Sequence, residues 1–472
     1  ISVKTKTLNP LVSEERDFQS LTALIFEGLL AIDDGYRPVP SLAASYETAD
    51  LNTWKLTLRE DAYFHDGARV TAYDVVATYN EILRLGEEGR GQYASLKYTI
   101  KSMSANDDKT LIIKAERAYF GTLYALTFPV LPASQVQSEE PSGSGPFCVD
   151  KFIPTDYLFL TANTGWWGGE PDVKQISVTF CATNRELISA FEYNQVDAVM
   201  TRSSSAGQYS SGVSTMNVAY RTQQLETLLM NHSAFELKSV NVRKAIRYAL
   251  DLDSICESVY MGMAARTNTP FPASSIFYQD TPSAFEYNPD KARELLAADG
   301  WKDSDGDGVL DTIRDGKQAN LRLRLYYYEE QDNSVRVEVA NRIADMLMAV
   351  GIKAVPEMMT FSETKTKLAA GSFDLCIAAY QMDVVPDPGF LLMSGNTGNY
   401  SRYRSSEMND LFASFRNNKS FSDLNSAFTS YRLSLLDIQQ QFAEDCPFLC
   451  LYYRSGALLS RKIFFSSQDV RE

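Results

Sequence analysis

Residues Ile352 to Asp383 read IKAVPEMMTFSETKTKLAAGSFDLCIAAYQMD. IKAVPEMM (Ile352 to Met359) has the pattern of a strand, ETKTKLAAG (Glu363 to Gly371) of a helix stopped by glycine, and FDLCIAAY (Phe373 to Tyr380) of an apolar, buried strand. Strand, helix, tight turn and strand in that order form a β-α-β unit with a right-handed crossover. The second strand runs into a carboxylate, Asp383, and then the turn Pro386-Asp387-Pro388. Open α/β sheets bind ligands at the carboxyl ends of their strands, so Asp383 is placed to face a cleft.

A second stretch has the same order. KQISVTF (Lys174 to Phe180) reads as a strand, ELISAFEYN (Glu186 to Asn194) as a helix and VDAVM (Val196 to Met200) as a strand. The two units lie roughly 180 residues apart and share no close sequence, so they read as equivalent parts of two α/β lobes, not as a tandem repeat. Two such lobes joined by strands make a hinge, with a ligand cleft between them. Around them, TWKLTLRE (Thr53 to Glu60) alternates as a half-buried strand, and Thr71 with Asp74 forms a capping-box pattern before a helix. YNPDKARELLAADGW (Tyr287 to Trp301) is a helix capped by Asn288, with Pro289 at its first position and Gly300 after its end. LRLRLYYY (Leu321 to Tyr328) alternates as a strand. Val335 to Ile352 form an amphipathic helix with Val339, Ile343, Met346, Leu347 and Val350 on its core face.

A chain of 472 residues is too long for one hydrophobic core and favours two or three. Its balance, 44% hydrophobic and 22% charged, is that of a globular protein. A net charge of -15 argues against nucleic acid and against an anionic membrane surface as partners. No apolar run reaches the length of about 18 residues that a membrane-spanning helix needs. The chain opens at Ile1 on a strand-like ISVKT without signal peptide or lipobox, and the expectation is that an amino-terminal segment was trimmed away. The six cysteines contain no CxxC, and two histidines complete no zinc set at familiar spacings. The cysteines read as small buried hydrophobes, with disulfides the alternative.

The stretch SLAASYETADLNTWKLTLREDAYFHDGARVTAYDVVATY (Ser41 to Tyr79) resembles the signature of the family 5 extracellular solute-binding proteins of ABC importers. TLNPL (Thr7 to Leu11), FEGLL (Phe26 to Leu30), GSGPF (Gly143 to Phe147), NTGWWGGEPDV (Asn163 to Val173) and NVRKAIRYALD (Asn241 to Asp251) continue the likeness in order, from about residue 7 to 455. The family includes oligopeptide-, dipeptide- and nickel-binding proteins. The resemblance implies an α/β periplasmic-binding-protein type II fold of the large class, two lobes with a hinge plus an inserted subdomain. On that reading residues 1–33, 143–235 and 447–472 make a discontinuous lobe I, 34–142 its inserted subdomain, and 236–446 lobe II. The implied protein is a non-enzymatic, extracytoplasmic monomer, periplasmic or lipid-anchored. It delivers a ligand, a peptide first of all, to a permease by hinge closure, and requires no cofactor.

Residue by residue, the resemblance makes Asp383 the acceptor of a ligand α-ammonium. Inside a cleft that excludes water, an ammonium needs a fixed counter-charge. It makes the main chain at Ala379, Tyr380 and Gln381 an edge for an extended peptide, indifferent to ligand sequence. Glu27, Gly28 and Leu29 are the matching stretch of the other lobe, and Tyr98 matches a tyrosine near the ligand. Some short-peptide binders carry an arginine where this chain has Ile377, so a fixed guanidinium for a ligand carboxylate is missing there; Arg402 and Arg404 are the nearby substitutes.

DSDGDGVLD (Asp303 to Asp311) matches EF-hand loop positions 1, 3, 5, 6 and 9 through Asp303, Asp305, Asp307, Gly308 and Asp311, but position 12 is Arg314 in place of a bidentate glutamate. The pattern fits a solvated acidic hairpin, or a weak structural calcium held by Asp303, Asp305, Asp307 and Asp311. Trp166 and Trp167 read as lobe packing or as a platform for a sugar, and His65 and His232 as structural. Two other classes stay open. A signalling-peptide receptor would use the same fold, and a secreted hydrolase would use paired carboxylates, whose spacing sequence does not reveal. No GxSxG, HExxH or Walker A pattern occurs.

Overall fold

The computed structural model describes residues 1, 5–13, 16–33, 35–209, 215–273, 275–278, 286–314, 316–330, 335–417 and 421–461. The strand expected over Ile1 to Thr5 falls on residues 2–4, outside the described residues. The chain divides into two compact units, Ile1–Thr201 with Arg416–Tyr431, and Arg202–Phe415 with Arg432–Glu472.

The first unit holds a four-stranded antiparallel sheet of β1 (Ala43–Thr48), β2 (Thr53–Leu58), β3 (Ile100–Ala105) and β4 (Thr110–Ala115), in the order β1-β2-β4-β3. The alternation read in TWKLTLRE turns Trp54, Leu56 and Leu58 inward, and all three are buried. Helix α1 (Ala72–Glu87) starts where Thr71 predicts, with the Thr71 N–H donating to the Asp74 carboxylate at 2.9 Å. A three-stranded antiparallel sheet follows, β5 (Phe147–Ile153), β6 (Tyr157–Ala162) and β7 (Gln175–Thr179). Phe120, Tyr124, Phe428 and Tyr431 form an aromatic cluster, with Phe120 and Phe428 centroids 5.3 Å apart.

Helix α2 (Asn184–Glu192) and strand β8 (Ala198–Thr201) form as read, but they do not complete a β-α-β unit. β7 pairs antiparallel with β6, and β8 takes no place in that sheet. The physical reason lies in β7 itself. Among its residues only Val178 is buried, so it is a one-sided strand suited to a meander and not the doubly covered strand of a parallel sheet.

The second unit is built on a mixed sheet of β9 (Thr215–Met230), β10 (Arg322–Tyr328), β11 (Lys353–Met359), β12 (Leu375–Gln381) and β13 (Phe448–Arg461), in the order β13-β9-β12-β10-β11. Here the expected β-α-β unit is present. β11 and β12 both run parallel to β10, which lies between them, and helix α3 (Phe361–Ala370) makes the crossover. Its start is a capping box of Thr360 and Glu363, and its end is Gly371 at φ +67°. The Arg402 guanidinium fills the space beside Gly371, 2.5 Å from where a Cβ would stand. Leu228, Leu323, Leu325, Leu375, Ile377 and Leu449 of the sheet are sealed by Val242 and Ile246 of the helix Val240–Ala249, Leu296 of Pro289–Ala298, and Val339, Ile343 and Leu347 of Val335–Met348. Each such side chain contributes roughly 1.5–3 kcal/mol by burial. Met346, read as core, packs half-buried against this cluster. All six cysteines are free thiols, and Cys256, Cys376, Cys446 and Cys450 are buried.

Candidate functional site

In the second unit, β12 pairs with β9 along its whole length, from Met230↔Leu375 to Gln224↔Gln381. Its pairing with β10 covers only Leu325↔Leu375 and Tyr326↔Cys376. The Met382 N–H donates to the Gln223 carbonyl at 2.8 Å, and the Ala378 carbonyl accepts the Thr227 hydroxyl at 2.8 Å. By the two-residue alternation of a strand, the peptide groups of Ala379 and Gln381 therefore face the other way, where β10 has parted from β12. Among the described residues no strand lies against that edge beyond Cys376. Such an edge is what main-chain recognition of an extended ligand requires.

Tyr380 points elsewhere. Its hydroxyl donates to the Gly398 carbonyl at 3.0 Å, its ring meets Phe390, and burial pushes its pKa well above that of an ordinary tyrosine. Gln381 and Asp383 are exposed. Asp383 Oδ1 accepts the Val385 N–H at 3.2 Å, bracing the turn that leads to Pro386. Ile377 is fully buried in the core cluster. Arg402 donates to the Ala369 carbonyl at 2.8 Å, at the end of α3, while Arg404 is exposed.

Directly behind the β12 edge lies a cluster of charges that the sequence reading missed. Glu226, opposite Ala379 on β9, accepts the Arg336 guanidinium at 2.8 and 3.0 Å, with both side chains almost fully buried. Arg336 also reaches Glu330 at 3.0 Å, and Arg454 of β13 reaches Glu330 at 2.6 Å and Glu226 at 3.0 Å. Burial works to raise the Glu330 pKa, but the two arginines outweigh it and hold it below the ordinary range. Removing one member of such a cluster leaves an uncompensated buried charge, at a cost of about 3–5 kcal/mol. The signal was present: Glu226 is the lone charge in QLETLLM, a strand otherwise fit for a core.

In the first unit, Glu27 is tied into the fold. Its carboxylate accepts the Trp166 indole N–H at 3.2 Å and the Trp167 indole N–H at 3.0 Å, and Arg59 stacks 3.7 Å above the Trp167 ring. Burial pushes its pKa above the ordinary carboxylate range, and the two indoles, Ser144 and Arg59 pull it back. The main-chain carbonyls of Glu27, Gly28 and Leu29 accept the N–H groups of Val130, Leu42 and Ser41, and Leu29 accepts Ala43 as well. Gly28 is required by this crossing, because a Cβ there would meet the Thr127 carbonyl oxygen at 2.7 Å. Tyr98 closes a short turn, Ala94–Tyr98, and is 68% exposed beside Lys97.

In the acidic loop, carboxylate oxygens of Asp303, Asp305 and Asp311 lie within 4.8 Å of one another, and Asp307 stands outside that group. Asp303 accepts the Gly306 and Gly308 N–H groups, Asp305 the Gln318 amide, and Asp311 both the Ser304 N–H and its hydroxyl. The Ser304 contacts hold the Asp311 pKa below its usual value. His65 Nε2 contacts the Gly145 carbonyl at 3.0 Å, and His232 Nε2 the Pro447 carbonyl at 2.8 Å, so each histidine spends a ring nitrogen on the main chain.

Residues 37–402 match the family described as bacterial extracellular solute-binding proteins, family 5. The oligopeptide-binding protein AppA of Bacillus subtilis is 25% identical over 472 aligned residues, covering 94% of this chain and 83% of the relative. A putative ABC transporter peptide-binding protein of Brucella ovis is 28% identical, covering 77% of this chain and 69% of the relative. Among solved structures, NikA from Brucella suis in complex with Fe(III)-EDTA superposes with a TM-score of 0.80 at 20% identity, covering 99% of this chain and 96% of that one. The shared architecture is the type II periplasmic-binding-protein fold.

Proposed function

This chain belongs to the bacterial extracellular solute-binding proteins of family 5, and from that membership we propose that it is the substrate-binding component of an ABC importer with a peptide bearing a free amino terminus as its ligand. The observation that carries the peptide reading is the edge of β12. Ala379 and Gln381 turn their peptide groups to the side that β10 has left, and two residues further on the exposed Asp383 supplies a negative charge. An α-ammonium at Asp383 and a main chain laid along Gln381 use both features at once. The reading places the protein outside the cytoplasmic membrane and gives it a permease as partner. Among the described residues no helix is long and apolar enough to cross a membrane.

Calorimetry with one dipeptide in free and N-acetylated forms tests the ammonium anchor. The free form is expected to bind at least about tenfold more tightly, a difference of roughly 1.4 kcal/mol or more. Equal affinities would remove the anchor. Binding of a metal chelate with no peptide binding would replace the peptide with the kind of ligand seen in the NikA complex. Turnover of peptides or oligosaccharides would return the hydrolase.

A further inference from the structure

β9 keeps its ladder with β12 and breaks its ladder with β13 at the same place. Toward β12 the register is continuous from Met230↔Leu375 to Gln224↔Gln381, and the Met382 N–H, donating to the Gln223 carbonyl at 2.8 Å, carries it one residue further. Toward β13 the pairing jumps from Arg221↔Ser455 to Leu225↔Tyr453, so Thr222, Gln223 and Gln224 stand against Arg454 alone. By the alternation of a strand, Gln223 turns its carbonyl to β12 and Gln224 turns its N–H to β13. Thr222, buried to all but 7%, bridges the interrupted side. Its hydroxyl donates to the Arg454 carbonyl at 2.8 Å and accepts the Gln224 N–H at 3.2 Å. The Gln224 side-chain amide in turn donates to the Glu226 carboxylate at 3.2 Å, and Arg336 holds that carboxylate from the other side.

We propose that Thr222 is a positioning residue for the ligand ammonium, acting through Gln223 and Met382 on Asp383; this rests on the peptide reading of the site. The Met382 bond lies one residue before Asp383, so the place of Gln223 on β9 sets where that carboxylate leaves β12. A bulge is where a ladder gives most easily, and this one falls directly under Gln223. One hydroxyl that both donates and accepts ties the bulged strand to β13 and to itself. Without it, β9 loses its bond to the Arg454 carbonyl, and Gln223, Met382 and Asp383 shift together. An ammonium is sensitive to such a shift, because a charge-assisted bond forms only at about 2.7–2.9 Å. An acetylated amino end carries no charge for Asp383 to meet, so the effect falls on the free-amino form.

Calorimetry on the full chain with alanine dipeptide in free-amino and N-acetylated forms tests this. The wild type is expected to favour the free form by at least about tenfold. Thr222→Val keeps the shape and removes the hydroxyl; it is expected to cut the ratio to about threefold or less, with the acetylated form bound as in the wild type. Thr222→Ser keeps the hydroxyl and is expected to keep the ratio. A ratio unchanged in folded Thr222→Val, an equal loss of both forms, or a ratio lost as fully in Thr222→Ser overturns the positioning role. Amide hydrogen exchange on the wild type needs no variant. The free-amino dipeptide is expected to slow exchange at Gln224 as well as at Met382, by about threefold or more, and protection confined to Met382 overturns the link. A wild type that binds both forms equally, or neither, overturns the ammonium reading and this inference with it, which distinguishes the two failures.

Discussion

Glu27 and Asp383 are both acidic residues singled out by the same family pattern, one in each compact unit, and the structure gives them opposite surroundings. Glu27 is half-buried, with two indole N–H groups donating to its carboxylate. Asp383 is exposed at the end of a strand and braces a turn. A carboxylate surrounded by fixed donors holds two segments together, whereas one at an exposed strand end is placed to meet a molecule from outside. The contrast sets a carboxylate that ties segments of the fold together beside one that, on the proposed function, meets the ligand.

The strongest way to break the contrast is to delete both side chains in turn. Asp383→Ala is expected to cost about 3–5 kcal/mol of free-amino peptide binding and far less in stability, where it loses the exposed bond to the Val385 N–H. Glu27→Ala is expected to cost about 2 kcal/mol of fold stability and to shift tryptophan emission, since two of the four tryptophans lose their acceptor. Denaturant titration and calorimetry on both variants read the two effects, and an exchange of roles between them would end the distinction.

His232 extends the Glu27 class. Burial, with Arg243 nearby, lowers its pKa to about 4, outweighing the Pro447 carbonyl and Asp445, which pull it up. A depressed histidine gives stability that is complete above the unfolded value near 6.5 and is lost as pH falls toward 4, amounting to about 3 kcal/mol at most. Melting curves between pH 7 and 4 should show the loss, and His232→Gln should flatten it; parallel curves would clear His232 of the effect. The smallest effect belongs to the acidic loop. Its carboxylates already serve main-chain and side-chain donors within the loop, so chelator followed by calcium is expected to leave the melt unchanged. A rise on adding calcium would turn Asp303, Asp305 and Asp311 into a structural ion site.

Much of the second unit was legible because its signals are local. The capping box at Thr360, the stop at Gly371 and the apolar run after Phe373 mark α3 and β12 within a few residues. β7 was legible as a strand but not in its partners, because alternation identifies which face is buried and not which neighbour supplies the hydrogen bonds. The position of Asp383 at a strand end was readable for the same local reason. The parting of β10 from β12 after Cys376 was not. LRLRLYYY shows a strand, but where two parallel strands part company depends on residues scattered from Glu226 to Arg454.

The bond pattern around Glu226 bears on how the sheet finds its register. β9 and β13 pair over a long span that shifts register on both sides of Leu225 and Glu226. A slip of one residue along β13 would carry Arg454 to the opposite face and abandon Glu226 in an oily interior. The misaligned sheet would then be rejected by a stranded charge, well before side-chain fit had any say.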